Sequence, residues 1–202
     1  MLQTLNRSRA LKRVIDLLAA VGLLLCLWPI MLLVAGLIRW KMGSPVVFTQ
    51  TRPGKDGKPI QFYKFRTMRN ANGPDGKPLP DARRMTPLGT LIRKTSMDEL
   101  PQLWNVLKGE VSLVGPRPLL MEYLPHYTAE ENRRHSVPPG ITGWAQINGR
   151  NAISWDERLR LDVEYVNNWS NALDFKILFL TIHRVITAGH QRSRTCHHDP
   201  AG

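Results

Sequence analysis

Cysteine is scarce in this chain, two in 202 residues, and the pair makes no framework: Cys26 lies inside an apolar run and Cys196 in a polar tail. That excludes a disulfide-stapled secreted domain and fits a reducing, cytoplasm-facing one. Three motifs are missing: a glycine-rich loop followed by Lys-Ser/Thr, a G-x-G-x-x-G after a strand, and an H-E-x-x-H. P-loop, dinucleotide-binding and zinc-peptidase readings lose their usual support. No internal repeat is visible. Acidic residues are in the minority, 16 against 28 Lys and Arg, for a formal charge of +12. The expected partner is therefore anionic: nucleic acid, an anionic leaflet or phosphorylated substrates.

Charge is absent altogether from Leu17 to Ile38, a stretch long enough to cross a hydrocarbon core of roughly 30 Å as a helix. It exceeds a signal-peptide core, and no small-residue cleavage site precedes Arg39, Trp40 and Lys41. Cations flank both ends, Arg7, Arg9, Lys12 and Arg13 before and Arg39 and Lys41 after, so the positive-inside rule is met only if both ends stay cytoplasmic. Pro29, in mid-run, removes a backbone donor and its ring clashes with the carbonyl of Leu25. A re-entrant helical hairpin satisfies both observations; an ordinary spanning helix kinked at Pro29, which membrane helices tolerate, is the open alternative. Asp16 at the mouth of the run is within reach of Lys12 or Arg13, a structural pairing.

The length allows one domain with a real core plus this anchor. Val46 to Arg52 and Ile60 to Met68 are β-prone runs joined by Pro53-Gly54-Lys55-Asp56-Gly57, a hairpin with its turn near Asp56-Gly57. Asn70 to Asp81 reads as a mobile surface loop rich in Pro and Gly. Thr86-Pro87 opens a short helix through about Lys94. Ser96 and Glu99 have capping-box spacing ahead of a helix that carries Leu100, Leu103, Trp104 and Leu107 and stops at Gly109. Val111 to Val114 is a short buried strand or extended segment. Thr128 with Glu131 and Ser154 with Glu157 repeat the capping-box spacing, the second helix running to about Trp169. Between them Val137 to Arg150 is a Gly- and Pro-rich ordered loop. Asn171 to Ala188 is a final helix ended by Gly189, whose stripe of Phe175, Leu178, Phe179, Ile182 and Ile186 suits either the core or a membrane interface.

The strongest chemical candidate is Arg93 through Gln102, where Asp98 and Glu99 share the first turn of a helix with Arg93 and Lys94 just upstream. Cation, helix start and carboxylates together suit a phosphate and metal site. A purely structural account competes: Glu99 completes the capping box and Asp98 complements the helix dipole. Arg117, held between Pro116 and Pro118, and Arg150, after Asn148-Gly149, weigh toward chemistry, because a rigidly presented arginine suits bidentate phosphate binding. Cys196, His197 and His198 with His190 look like a metal tract, but their place in an Arg-rich tail reads as disorder.

From about Lys12 to Gly189 the chain resembles the bacterial sugar transferase family, the small monotopic phosphoglycosyl transferases. The resemblance rests on Arg13 to Pro29, Tyr63-Lys64-Phe65-Arg66-Thr67-Met68, Arg93 to Gly109, Gly115-Pro116-Arg117-Pro118 and Pro139-Gly140-Ile141-Thr142-Gly143-Trp144-Ala145-Gln146-Ile147-Asn148-Gly149-Arg150. It implies an α+β fold: a re-entrant membrane helical hairpin broken at Pro29 (residues 1–42), and a small, mainly helical cytoplasmic domain with a β-hairpin and interfacial amphipathic helices (residues 43–189). Residues 190–202 match nothing and are read as a disordered tail. The implied enzyme sits in the bacterial inner membrane facing the cytoplasm and moves a sugar 1-phosphate from a UDP-sugar to polyprenol phosphate in a ping-pong reaction with Mg2+. Asp98 would be the nucleophile and Glu99 would help hold the metal or orient Asp98. Arg93 and Arg117 would bind phosphates, with Lys64, Gln146 and Arg150 as further pocket candidates. Partners expected are the UDP-sugar, undecaprenyl phosphate, lipids of the cytoplasmic leaflet and downstream glycosyltransferases, with no nucleic acid. Trp28 stands where many relatives have Ser before the proline. The rivals are a non-enzymatic basic membrane adaptor, which gives no reason for Asp98-Glu99 beside Arg93, and a transferase working by single displacement.

Overall fold

The computed structural model describes residues 2–74, 76–149 and 153–195. Arg150 and the Cys196, His197, His198 tract fall outside them.

Helix α1 (Leu2–Met42) has 41 residues, about 60 Å at 1.5 Å per residue. It continues through Pro29, so the expected hairpin is not present as two separate helices; the turns on either side hold the helix although the proline donates nothing. What distinguishes this helix is that one domain grips it at two places. Near its start, Lys12 donates to Asp174 Oδ2 at 2.6 Å and to the Val114 carbonyl at 3.0 Å. Arg13 donates to the carbonyls of Val106 and Leu107. Asp16, buried, accepts from the Ser112 hydroxyl at 2.8 Å and the Leu113 amide at 3.1 Å. The structural role expected of Asp16 is kept, but with these partners rather than Lys12 or Arg13. At the far end Arg66 donates to the carbonyls of Met42, Gly43 and Ser44, capping the last turn. Between the grips the helix buries Ala20, Val34 and Ile38 and leaves much of its apolar surface open: Leu25 is 70 % exposed, Trp28 56 % and Leu33 63 %.

Strands β1 (Val47–Pro53) and β2 (Pro59–Phe65) pair antiparallel, Thr49 opposite Tyr63. Their turn sits where the sequence places it, with Asp56 at φ 57° and Gly57 at φ 71°. Phe62 and Phe65, three apart, point to opposite faces of β2. Phe62 joins the main core with Ala20, Val106, Val114, Tyr165 and Ile177. Phe65 joins a second cluster with Val34, Ile38 and Ile92. Both clusters draw on α1, so this long apolar helix is part of the core.

Asn70 to Asp81 closes on itself through an Asn72–Pro78 bridge and a Gly73 amide to Lys77 carbonyl bond of 2.8 Å, then enters α2 (Asp81–Arg84). Thr86 caps α3 (Pro87–Lys94) through its hydroxyl, as expected. After a 3-10 turn at Met97–Glu99 comes α4 (Gln102–Lys108), closed by Gly109 at φ 83°. Strand β3 (Ser112–Val114) pairs parallel with β4 (Gly140–Thr142). Thr128 and Glu131 form a complete capping box on α5 (Ala129–Asn132). Then follow α6 (Trp144–Asn148), α7 (Trp155–Asn167) and α8 (Asn171–Thr195). Helix α8 passes through Gly189, which therefore does not end it; a single glycine in a helix costs only about 1 kcal/mol. Ile177 of α8 is fully buried, whereas Phe175, Phe179 and Ile182 are exposed. Of the expected stripe, Leu178 packs against the core while Phe175, Phe179 and Ile182 face outward.

Candidate active site

The two carboxylates do not start an ordinary helix. Ser96 adopts the left-handed region (φ 57°) and its hydroxyl caps nothing; α4 begins only after Pro101. The expected Ser96–Glu99 capping box is therefore not formed, because stronger partners draw the Glu99 side chain away. Lys64 of β2 donates to Glu99 Oε1 at 3.0 Å and Arg117 donates to the same oxygen at 2.7 Å. Charge-assisted bonds of this kind outweigh a neutral cap.

Asp98, next to it, has no ion pair among the described residues; its hydrogen-bond donor is its own backbone amide. Burial pushes its carboxyl up, the Glu99 charge pushes the same way, and Lys64 and Arg93 oppose. In Glu99 burial also acts upward, but Arg117 and Lys64 together outweigh it and hold the carboxyl below its ordinary value. The pair is thus divided into a firmly ionised, neutralised Glu99 and a more basic, uncommitted Asp98, a division found where two carboxylates have different tasks.

Arg93 arrives through close packing. Gly89 lies so near the Thr67 carbonyl that a Cβ would collide with it, and one turn later Arg93 donates from Nε to the Thr67 hydroxyl at 2.9 Å. Arg117 is set by its backbone: Gly115, Gly140 and Gly143 pack backbone to backbone where no side chain fits, and Arg134 donates to the Arg117 carbonyl at 2.7 Å. Arg134 is itself buried and bound to Asp162.

Five of the seven proposed residues, Asp98, Glu99, Lys64, Arg93 and Arg117, thus surround one turn. Gln146 shares no hydrogen bond with them among the described residues: it donates to the Ile141 carbonyl within its own loop, at 3.2 Å. Arg150 lies outside the described residues. Sequence reasoning missed Arg52, half-buried and held by Gln50 Oε1 at 2.7 Å; burial and the facing charge of Arg117 push its guanidinium down. Its position just before Pro53 repeats the Arg117-Pro118 signal. It also missed Arg134, which no local pattern singles out.

Two hard carboxylate oxygens beside a basic pocket suit a magnesium ion, which is commonly held by one or two carboxylates together with substrate phosphates. Among the described residues no third carboxylate, His or Cys joins them, so the substrate would complete the shell.

The family model described as bacterial sugar transferase matches residues 7–188. The chain belongs to the bacterial sugar transferase family. It is 60 % identical over 178 residues, 88 % of each chain, to the Bacillus subtilis protein called uncharacterized sugar transferase EpsL. It is 41 % identical over 187 residues to the UDP-glucose:undecaprenyl-phosphate glucose-1-phosphate transferase of Escherichia coli, covering 87 % of this chain and 40 % of that one. It is 46 % identical over 197 residues to the undecaprenyl-phosphate glucose phosphotransferase of Komagataeibacter xylinus, with 87 % and 36 % covered. The chain therefore spans about two fifths of the length of these two named transferases and nearly all of the shorter Bacillus relative. Membership of a transferase family bears out the enzyme reading over the adaptor.

Proposed function

We propose that this sugar transferase moves a sugar 1-phosphate from a UDP-sugar to a polyprenol phosphate by a two-step reaction through Asp98. In the first step an Asp98 carboxylate oxygen forms a bond to the phosphorus nearer the sugar, the bond from that phosphorus to the bridging oxygen breaks, and UMP leaves with the electron pair. In the second, a phosphate oxygen of the polyprenol phosphate attacks the same phosphorus, releasing Asp98 and giving a polyprenol diphosphate sugar. A carboxylate nucleophile divides one hard displacement into two easier ones. The observation that carries this reading is the divided pair: Asp98 is raised in basicity and free, while Glu99 is neutralised by Lys64 and Arg117. Arg117, Arg93 and Lys64 offset the charge of a diphosphate. Magnesium, when bound, would be held by Asp98 and Glu99 and would add to that offset.

The experiment is UMP release by the purified chain in detergent with Mg2+ and a panel of UDP-sugars, followed by intact-mass measurement without acceptor. The expected result is acceptor-dependent release for one sugar, a sugar-phosphate adduct on the protein, and loss of both in Asp98→Asn. Full turnover by Asp98→Asn would remove Asp98 as nucleophile; turnover without any adduct would favour single displacement.

The same reading places both ends of α1 on the cytoplasmic side of the inner membrane. Its support is that one domain grips the helix at Lys12–Asp16 and at Met42–Ser44, and a single domain occupies one side of a bilayer. Cysteines introduced at Arg9 and Lys41, with Cys26 and Cys196 replaced by Ser, should react with an impermeant reagent from the same side. Labelling from opposite sides would restore a spanning helix.

A further inference from the structure

The start of α1 borders a cavity of about 180 Å3 that contains none of the residues around Asp98. It reaches Gly109 at the C-terminal end of α4, whereas Asp98 precedes the N-terminal end, and the seven residues of α4 put about 10 Å of helix between them. The floor is apolar, formed by Val111, Val137 and Trp169 among others, and the rim carries Arg9, Lys12, Arg13 and Lys55. Two of these cations are spent: Lys12 answers Asp174, and Arg13 caps α4. Asp16, the only acid on the lining among the described residues, is answered by Ser112 and Leu113. Arg9 and Lys55 are exposed and make no side-chain hydrogen bond or ion pair among the described residues. Two unanswered positive charges therefore stand over an apolar hollow.

Depth decides what such a hollow meets. Arg9 lies two turns before the uncharged run begins at Leu17, roughly 12 Å along the helix, which puts the rim at the headgroup zone once α1 is in a membrane. Trp169 on the floor is the residue type that settles at that depth. A small soluble anion would use the rim and leave the floor wet; an anion with an apolar body uses both. We propose that this cavity binds the phosphodiester headgroup of an anionic phospholipid, a resident ligand distinct from the polyprenol substrate, which seats the start of α1. The proposal rests on the membrane reading of α1 and not on the chemistry at Asp98, so failure of UMP release leaves it standing.

The test is calorimetric titration of the full chain in neutral detergent with dihexanoyl phosphatidylglycerol, dihexanoyl phosphatidylcholine and inorganic phosphate. Wild type is compared with Arg9→Gln/Lys55→Gln and with Lys55→Glu alone. Expected is one saturable phosphatidylglycerol site, weakened roughly ten-fold or more in the double variant and in Lys55→Glu, with unliganded melting temperature and detergent-phase UMP release unchanged. Equal affinity for phosphatidylcholine, or undiminished phosphatidylglycerol binding in both variants, overturns the proposal. Inorganic phosphate binding as tightly as the lipid would show a free-anion site and overturns the lipid assignment.

Discussion

The side chains of Arg134 and Asp162 are 1 % and 2 % exposed, whereas those of Arg117 and Glu99, one link away in the same network, are 40 % and 19 % exposed. The link is Arg134 itself, which donates to Asp162 Oδ2 and to the backbone carbonyl of Arg117. Arg134 also donates to the Tyr127 hydroxyl at 3.4 Å, so few of its N–H groups remain unused. Arg117 has its backbone fixed, and among the described residues its guanidinium donates only from Nη2, to Glu99. Identical chemistry thus serves two ends: a sealed pair immobilises the chain, and an open pair built on it leaves donors for a ligand. A buried pair is worth little over apolar residues of the same size, yet removing one partner strands a charge.

Breaking the sealed pair should have the largest effect. Arg134→Met is expected to cost about 3–5 kcal/mol, seen as a large drop in melting temperature in detergent, while Arg134→Met/Asp162→Leu recovers most of it. If the double variant melts no higher than the single, the penalty is not a stranded charge. Loosening the open pair should leave the fold alone: Arg117→Lys is expected to lower kcat/KM by roughly ten- to a hundred-fold with melting temperature nearly unchanged, since lysine keeps the positive charge that faces Glu99 and Lys64 still bonds the same oxygen. A large fall in stability would make Arg117 structural.

His135, beside Arg134, sharpens the contrast through pH. Burial and the Arg134 charge push its imidazole down to about 4. Between about 6.5 and 4 the unfolded chain binds a proton that the folded chain refuses, so this contribution is present above pH 6.5 and is lost as pH falls toward 4, by roughly 1–3 kcal/mol. His135→Asn should flatten that part of the stability profile; an unchanged slope would assign it to another group. The smallest effect is expected for Lys64→Ala, because Glu99 keeps Arg117: UMP release should fall roughly three- to ten-fold, and a loss as large as that of Arg117→Lys would mean the two cations are not redundant.

Local patterns were legible where their partners are near in sequence. The hairpin turn at Asp56-Gly57, the Thr86 cap, the Thr128–Glu131 box and the Gly109 stop all lie where spacing places them. Ser96–Glu99 has the same spacing as Thr128–Glu131 and fails. Lys64 and Arg117, distant in sequence, claim Glu99, and no four-residue window contains that competition. Gly189 carried a stop signal that the backbone ignores. The β3–β4 pairing, Ser112 with Gly140, joins segments that share no periodic signal.

By itself the sequence determined the uncharged apolar run, the β-hairpin, most of the caps, and motifs dense enough to carry a family resemblance, because these depend on side-chain type and short spacing. Only the tertiary structure decided that one domain grips α1 at both places, that Glu99 is neutralised while Asp98 is left free, and that Arg134 stands behind Arg117. Each of those depends on contacts between residues far apart in the chain, where the folded partners set the electrostatic environment and local propensity carries no information about it.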